Sequence, residues 1–216
     1  MAQLNSVDFF QVLKQSLLQL YCIQTIHAMK TLFLLKLTIF MLLNHIAPAQ
    51  TKSPNVMNNS TYTMTITQTF NAPLEKVWTA FTDAESIKRW WGPVGFTAPI
   101  ANINFREGNV SLVCMRSPDG FEIFNTWTYQ KISAMKSIEF IQHFTDKSGK
   151  KIKPSDIGMP PGIPDEVPHI ITFKKIGDQK TELTIVEHGY TNPQIVEISK
   201  NGTASMLQKF ATEVER

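Results

Sequence analysis

Residues 61–70 alternate. Tyr62, Met64, Ile66, Gln68 and Phe70 fall on one face, and threonines occupy the other. A period of two with β-branched residues predicts a strand. Asn71-Ala72-Pro73 stops it, because proline cannot donate to a ladder but fits the first turn of a helix. Leu74, Val77, Trp78 and Phe81 then recur at i, i+3, i+4 and i+7, one face of a helix. Thr82-Asp83 supplies the next N-cap, with Glu85 and Ser86 in the first turn. Ile87, Trp90 and Trp91 follow, and Gly92-Pro93 ends the helical run before a strand opening at Phe96.

Strands are then expected over 96–105, 110–116, 121–132 and 138–144. Short polar turns join them, of which Ser117-Pro118-Asp119-Gly120 is the most turn-competent. Consecutive strands with short turns make an antiparallel meander. Residues 145–167 show no hydrophobic period and, with Pro168, carry five prolines. Such a stretch is a long loop, and long loops are often lids. A last hairpin is expected over 169–176 and 181–188, turned at Gly177-Asp178. Leu183, Ile185 and Glu187 share a face there, so a core-facing Leu183 brings the Glu187 carboxylate inward. That is costly unless the group is hydrogen-bonded or neutralised. From Asn192-Pro193 a helix carries an apolar stripe of Ile195, Ile198, Gly202, Met206, Phe210 and Val214. Gly202 costs about 1 kcal/mol of helix propensity there, which suggests a close approach to the sheet or a bend.

The stretch 70–96 reads F-x-A-P-x-x-x-V-W-x-A-F-T-D-x-x-x-I-x-x-W-W-G-P-x-G-F. It resembles the homologues of the heat-shock protein 90 ATPase activator, a family within the START-like (SRPBCC) superfamily of ligand-binding domains. Phe70, Ala72, Pro73, Val77, Trp78, Thr82, Asp83, Trp90, Trp91, Gly92, Pro93 and Phe96 match its pattern. The turns at Arg106-x-Gly108 and at 115–120 look like the family's equivalents. The resemblance covers about residues 62–214. It implies an α+β helix-grip fold, a curved antiparallel sheet wrapped around a long C-terminal helix with a cavity between them. It also places the Pro-rich loop near the cavity mouth. One departure bears on the cavity's shape: the family usually has a tryptophan just after the glycine of the last helix, and here that residue is Thr203.

The 216 residues leave room for one ordinary domain, over 61–216, preceded by a tail. Within the tail, Met29-Lys30 opens the apolar run TLFLLKLTIFMLL, closed by Ala47-Pro48-Ala49. This is the pattern of a secretory signal peptide over 29–49. It is too short for a membrane span and is interrupted by Lys36. Translation is then expected to start at Met29, although residues 7–21 could instead form an extra apolar helix. Export would place the mature chain in the periplasm or outside the cell; without it the protein is cytoplasmic. Residues 50–60 read as a linker.

The formal charge is +3, of which Lys14, Lys30 and Lys36 against Asp8 contribute +2, leaving about +1 for residues 50–216. A nearly neutral domain is a poor match to nucleic acid. Cys22 and Cys114 cannot form a disulfide framework. Cys114, in phase with Val110 and Leu112, reads as a buried core thiol.

No metal-ligand spacing, phosphate-binding glycine loop or nucleophile elbow occurs. The chain therefore reads as a small-molecule binding domain, without catalytic residues, cofactor or metal, whose ligand is small and apolar or amphipathic. Alternatives are a chaperone-activating interaction domain and an enzyme working in the cavity; a homodimer through an edge strand stays open. The pocket candidates are Trp90, Trp91, Phe96, Trp127, Tyr129, Phe140, His143, Phe173, Glu187 and Met206. Alternation separates Phe124 from Trp127 and Tyr129. A polar cluster of Glu187 with His143 or His169 could orient a ligand or move protons. The simpler reading keeps the aromatics in the core, with the polar groups at strand ends in water or satisfying each other.

Overall fold

The structure, a computed structural model, describes residues 61–216. The leader expected over 1–49 and the linker over 50–60 lie outside the described residues. The alternating segment is strand β1, Tyr62–Phe70, with Met64 and Phe70 fully buried. Pro73 caps helix α1, Leu74–Thr82, which buries Val77, Trp78 and Phe81. Asp83 then caps α2, Ala84–Trp90, accepting from the Ser86 amide at 2.8 Å. That cap satisfies one of the amides that a helix start leaves unpaired.

Six strands follow: β2 Thr97–Asn102, β3 Val110–Arg116, β4 Glu122–Ser133, β5 Ser137–Thr145, β6 Glu166–Gly177 and β7 Lys180–Tyr190. The expected meander is present. It forms one seven-stranded antiparallel sheet in the order β1-β7-β6-β5-β4-β3-β2, with β1 returning to pair with the last strand. Helix α3, Pro193–Val214, starts at Asn192, whose side chain accepts from the Gln194 amide at 2.8 Å. It packs on β1, β7, α1 and α2. Phe210 of α3 meets Phe70, Phe81 and Trp90 edge-on, with ring centroids 5.1, 5.9 and 4.9 Å apart. Burying each such ring contributes roughly 1.5–3 kcal/mol, and the edge-to-face arrangement adds to it.

Several sequence expectations shift. Strand β6 begins at Glu166, inside the expected loop, and includes Pro168 opposite Ile141. Pairing of β6 with β7 begins only at His169, so Pro168 stands just before that ladder. The β6–β7 turn is Asp178-Gln179, since Gly177 itself pairs with Lys180. The remaining loop holds a short 3₁₀ turn, Pro154–Ile157. Cys114 is fully buried, as expected, whereas Val110, read in the same phase, is half exposed. The core-facing phase of β3 is that of Ser111 and Val113.

The stripe on α3 also differs. Ile195, Thr203, Leu207, Phe210 and Val214 are buried, whereas Ile198 is 57% exposed. A Cβ added at Gly202 would meet nothing within 4 Å, so Gly202 serves no close approach.

Candidate functional site

The family-like turn after α2 supplies the first wall. The Trp91 amide donates to the Ile87 carbonyl at 2.8 Å and closes the helix. Gly92 follows at φ +96°, where an added Cβ would stand 3.0 Å from the Phe96 Cβ. Only glycine fits both the left-handed backbone and the contact. The turn thereby holds Trp90 and Trp91 edge-on to each other, centroids 5.7 Å apart. The Trp90 Nε1 donates to the Ala80 carbonyl at 2.8 Å. From Trp91 the aromatic contacts run through Trp127 (4.8 Å) to Phe140 (5.2 Å), and Phe140 stacks flat on His169 at 4.6 Å and 12°.

His169 leads to the polar end. Its Nδ1 donates to the Val167 carbonyl at 2.9 Å, because a carbonyl can only accept. Its Nε2 lies 3.2 Å from Glu187 Oε1. The other carboxylate oxygen accepts from Tyr190 and from Ser199, the latter at 3.0 Å. Burial pushes the Glu187 carboxyl up. The charge and hydrogen bond of His169, with the Tyr190 and Ser199 hydroxyls, outweigh that and hold it below its ordinary value. His169 Nε2 and Glu187 Oε1 thus face each other in the interior of the domain. Desolvation and the Glu187 charge push the Tyr190 phenol far up, so it stays a donor. Glu187 thus points inward, as the alternation of β7 requires, and is fully hydrogen-bonded.

Tyr190 reaches Glu187 because β7 is bulged. Met64 of β1 pairs with Glu187 and Tyr62 pairs with Tyr190, so β7 spends three steps where β1 takes two. Gly189 at φ +97° absorbs the extra residue. Strict alternation would send Tyr190 to the other face. The bulge returns it to the core side, where it is buried. Ser199 lies one turn beyond Ile195 on α3 and meets the same carboxylate.

A small internal space adjoins this cluster, bounded by Trp90 and Trp91 of the turn, Phe140, His169 and Glu187 of the sheet, and Met206 of α3. Its free volume is about 20 Å³, the room of a single water. Five of the ten sequence candidates therefore border it: Trp90, Trp91, Phe140, Glu187 and Met206. Trp127 and Tyr129 are buried beside Phe140 without reaching it. Phe173 packs against Trp78 and Phe81, and Phe96 supports Gly92. Sequence reasoning missed Tyr190 and Ser199, while Thr203, the departure expected to bear on the cavity's shape, does border the space. The glycine within the β7 pattern was the available signal for the first.

Of the two histidines considered as partners for Glu187, the structure brings in His169 and not His143. His143 shares the phase of Glu139 and Ile141, opposite to the core-facing Phe140. It lies on the outer face, 2.8 Å from Glu166. That contact comes first in holding the Glu166 carboxyl below its ordinary value, ahead of Lys151 at 3.4 Å. Residues 145–152 fold back over this outer face, with Thr145 bridging Lys151. The later part of the loop turns to the other side. Gly162 accepts from the Thr191 amide at 3.1 Å and abuts Asn192 and Ile195 at the start of α3. Among the described residues no cluster of His, Cys, Asp or Glu is arranged to hold a metal ion, and no helix is long and apolar enough to cross a membrane.

A seven-stranded antiparallel sheet holding a long C-terminal helix on one face defines the helix-grip, START-like class of domain. Residues 71–215 match the family model described as "Activator of Hsp90 ATPase homolog 1-like protein", and the chain belongs to that family. Among solved structures, a Mycobacterium smegmatis protein is 21% identical with a TM-score of 0.56, over 71% of this chain and 88% of its own. A Chromobacterium violaceum protein is 21% identical with a TM-score of 0.59, over 71% and 97%. A Silicibacter pomeroyi protein described as AHSA1 is 16% identical with a TM-score of 0.58, over 70% and 96%. At such identities the likeness is one of fold. No curated protein matches the chain.

Proposed function

We propose that the domain is a non-catalytic binding module that holds a small apolar or amphipathic molecule between α3 and the sheet. The observation that carries this reading is the buried Glu187 carboxylate with His169 beside it, at the end of a wall of aromatic rings. For stability alone, hydrophobic side chains of similar volume would serve as well or better than a buried carboxylate and its partners. A few convergent polar groups in an apolar surround are what ligand sites use to orient a guest. Room for more than a water requires a side chain to move. Met206, half-buried and bordering the space, is unbranched and readily re-packed.

Native mass spectrometry of the protein purified gently from its own host tests the reading. An adduct that survives desalting, and is lost from the Glu187→Gln variant, supports it. A bare mass together with no thermal shift across a library of small apolar compounds counts against it.

The family description favours a second reading, stimulation of a chaperone ATPase. Addition of the purified protein to such an ATPase separates the two, since a binding module leaves the hydrolysis rate unchanged. We also propose that residues 29–49 direct export. Amino-terminal sequencing of the protein recovered from its host checks this, and the expected mature start is near Gln50.

A further inference from the structure

We propose that β1 is a docking edge for a second copy of this chain, whose own β1 adds to it antiparallel and joins the two sheets into one. The proposal is independent of what the internal space holds. The strand order leaves two edges, β1 and β2. An edge strand presents a row of N–H and C=O groups with no partner, which is a template for another strand. The two edges differ. β2 is six residues long, contains Pro99, breaks register between Thr97 and Ile100, and has α2 packed on it. Each of these discourages a further strand. β1 has nine residues, with no proline and no charged side chain. Among the described residues it pairs only with β7, and from Met64 to Phe70 that pairing runs without a break.

The pattern of β1 itself selects the occupant. When two copies of one strand pair antiparallel about a two-fold axis at full overlap, the strand midpoint faces itself. The midpoint of Tyr62–Phe70 is Ile66. On the helix-bearing face Ile66 then meets its own copy. On the other face Thr65 stands opposite the partner's Thr67, and Thr63 opposite the partner's Thr69. Threonine pairs across strands are favourable, and no like charges meet. Ile66 also has surface left to cover. Met64 and Phe70, on the same face, are fully buried, whereas Ile66 is only partly buried against the core. A neighbouring strand that brings a second Ile66 covers the rest. A charged peptide would find no counter-charge on β1, while a second copy matches it in polarity and in length.

Sedimentation velocity of the full chain, taken from micromolar to submillimolar concentration, tests the proposal. A species of twice the single-chain mass is expected. Two double variants locate the contact. Thr65 and Thr67 are exposed on the outer face, so Thr65→Lys with Thr67→Lys, and Thr65→Glu with Thr67→Glu, leave the core untouched. Each sets like charges opposite each other in the dimer, and each alone should associate about tenfold more weakly. Mixed in equal amounts, the two should recover the dimer, which misfolded variants could not do. Hydrogen exchange of the wild type needs no variant. The β1 amides should gain protection as the dimer forms, and those of β2 should not. A chain that stays single at every concentration, or a dimer that both variants keep, overturns the proposal. So does β1 protection that stays the same while the dimer dissociates, the result expected if another segment of the same chain already lies on this edge.

Discussion

The Nζ of Lys209 lies 2.8 Å from the Phe96 carbonyl oxygen, and it also reaches the Gly92 carbonyl at 3.2 Å. A cation from α3 thus holds the turn that presents Trp91. Burial pushes the Lys209 ammonium down from its ordinary value, and the backbone carbonyls are its hydrogen-bond partners here. Lys209→Met keeps most of the apolar stem and removes these bonds. The expected cost is about 1–3 kcal/mol, read as a lower urea midpoint with unchanged m-value. The tryptophan emission should also shift toward the red as the turn loosens. A variant as stable as the wild type would show that solvent serves those carbonyls equally well.

The Glu187 pair predicts a pH dependence. Its carboxyl is held below its ordinary value of 4.5 in the folded protein. As pH falls, the unfolded chain takes up this proton first. The stability that the ionised group contributes is therefore present above about pH 4.5 and is lost as pH drops toward the lower folded value. Glu187→Gln removes the carboxylate that accepts from Tyr190 and Ser199, and the expected cost is about 1–3 kcal/mol at pH 7. The gap between wild type and variant should narrow below pH 4.5 in denaturant titrations. A gap that stays constant down to pH 3 would mean that Glu187 is not ionised in the folded state.

The fold was legible because its signals are local. Alternation in β1, the Asp83 cap and the Ser117–Gly120 turn each follow from a few adjacent residues. The site was legible only in part. Hydrophobicity placed Ile198 and Gly202 on the inner stripe of α3, yet the structure turns Ser199 and Thr203 toward the sheet instead. Ser199 is polar where it donates to Glu187, and an apolar count cannot register that. Tyr190 was hidden by the same logic, since a period of two fails across the bulge at Gly189. His143 is the converse case. The sequence offered it as a pocket candidate and a partner for Glu187, and the folded sheet instead turns it to the outer face beside Glu166.

Two glycines should respond oppositely to alanine. Gly189 sits at φ +97°, and an added Cβ would stand 3.3 Å from the Pro164 Cγ. Gly189→Ala combines left-handed strain of about 1–2 kcal/mol with that crowding, and displaces Tyr190 from Glu187. Gly202 lies in the interior of α3 with open space around its Cβ position. Gly202→Ala should stabilise by about 1 kcal/mol through helix propensity and a less flexible unfolded chain. Thermal melts of the two variants bracket the wild type if this is right. A destabilised Gly202→Ala would mean that α3 needs the flexibility of glycine for a reason unrelated to packing.

Cys114 offers a probe of opening. It is fully buried on β3, and burial first, then the nearby Glu122, pushes its thiol up from 9.0 to about 11. At pH 8 that leaves roughly a hundredfold less thiolate than an unshifted thiol would have, before access is considered. Because the thiolate is the reacting species, alkylation by iodoacetamide should be negligible in the folded protein. It should rise to the rate of a free thiol at denaturant concentrations that unfold the sheet. Labelling is read by mass mapping of the peptide that carries Cys114, which keeps Cys22 out of the signal. If the labelling midpoint coincides with loss of tryptophan signal, β3 opens only with the whole domain. Labelling well below that midpoint would show that the β2–β3 edge of the sheet frays independently of the core.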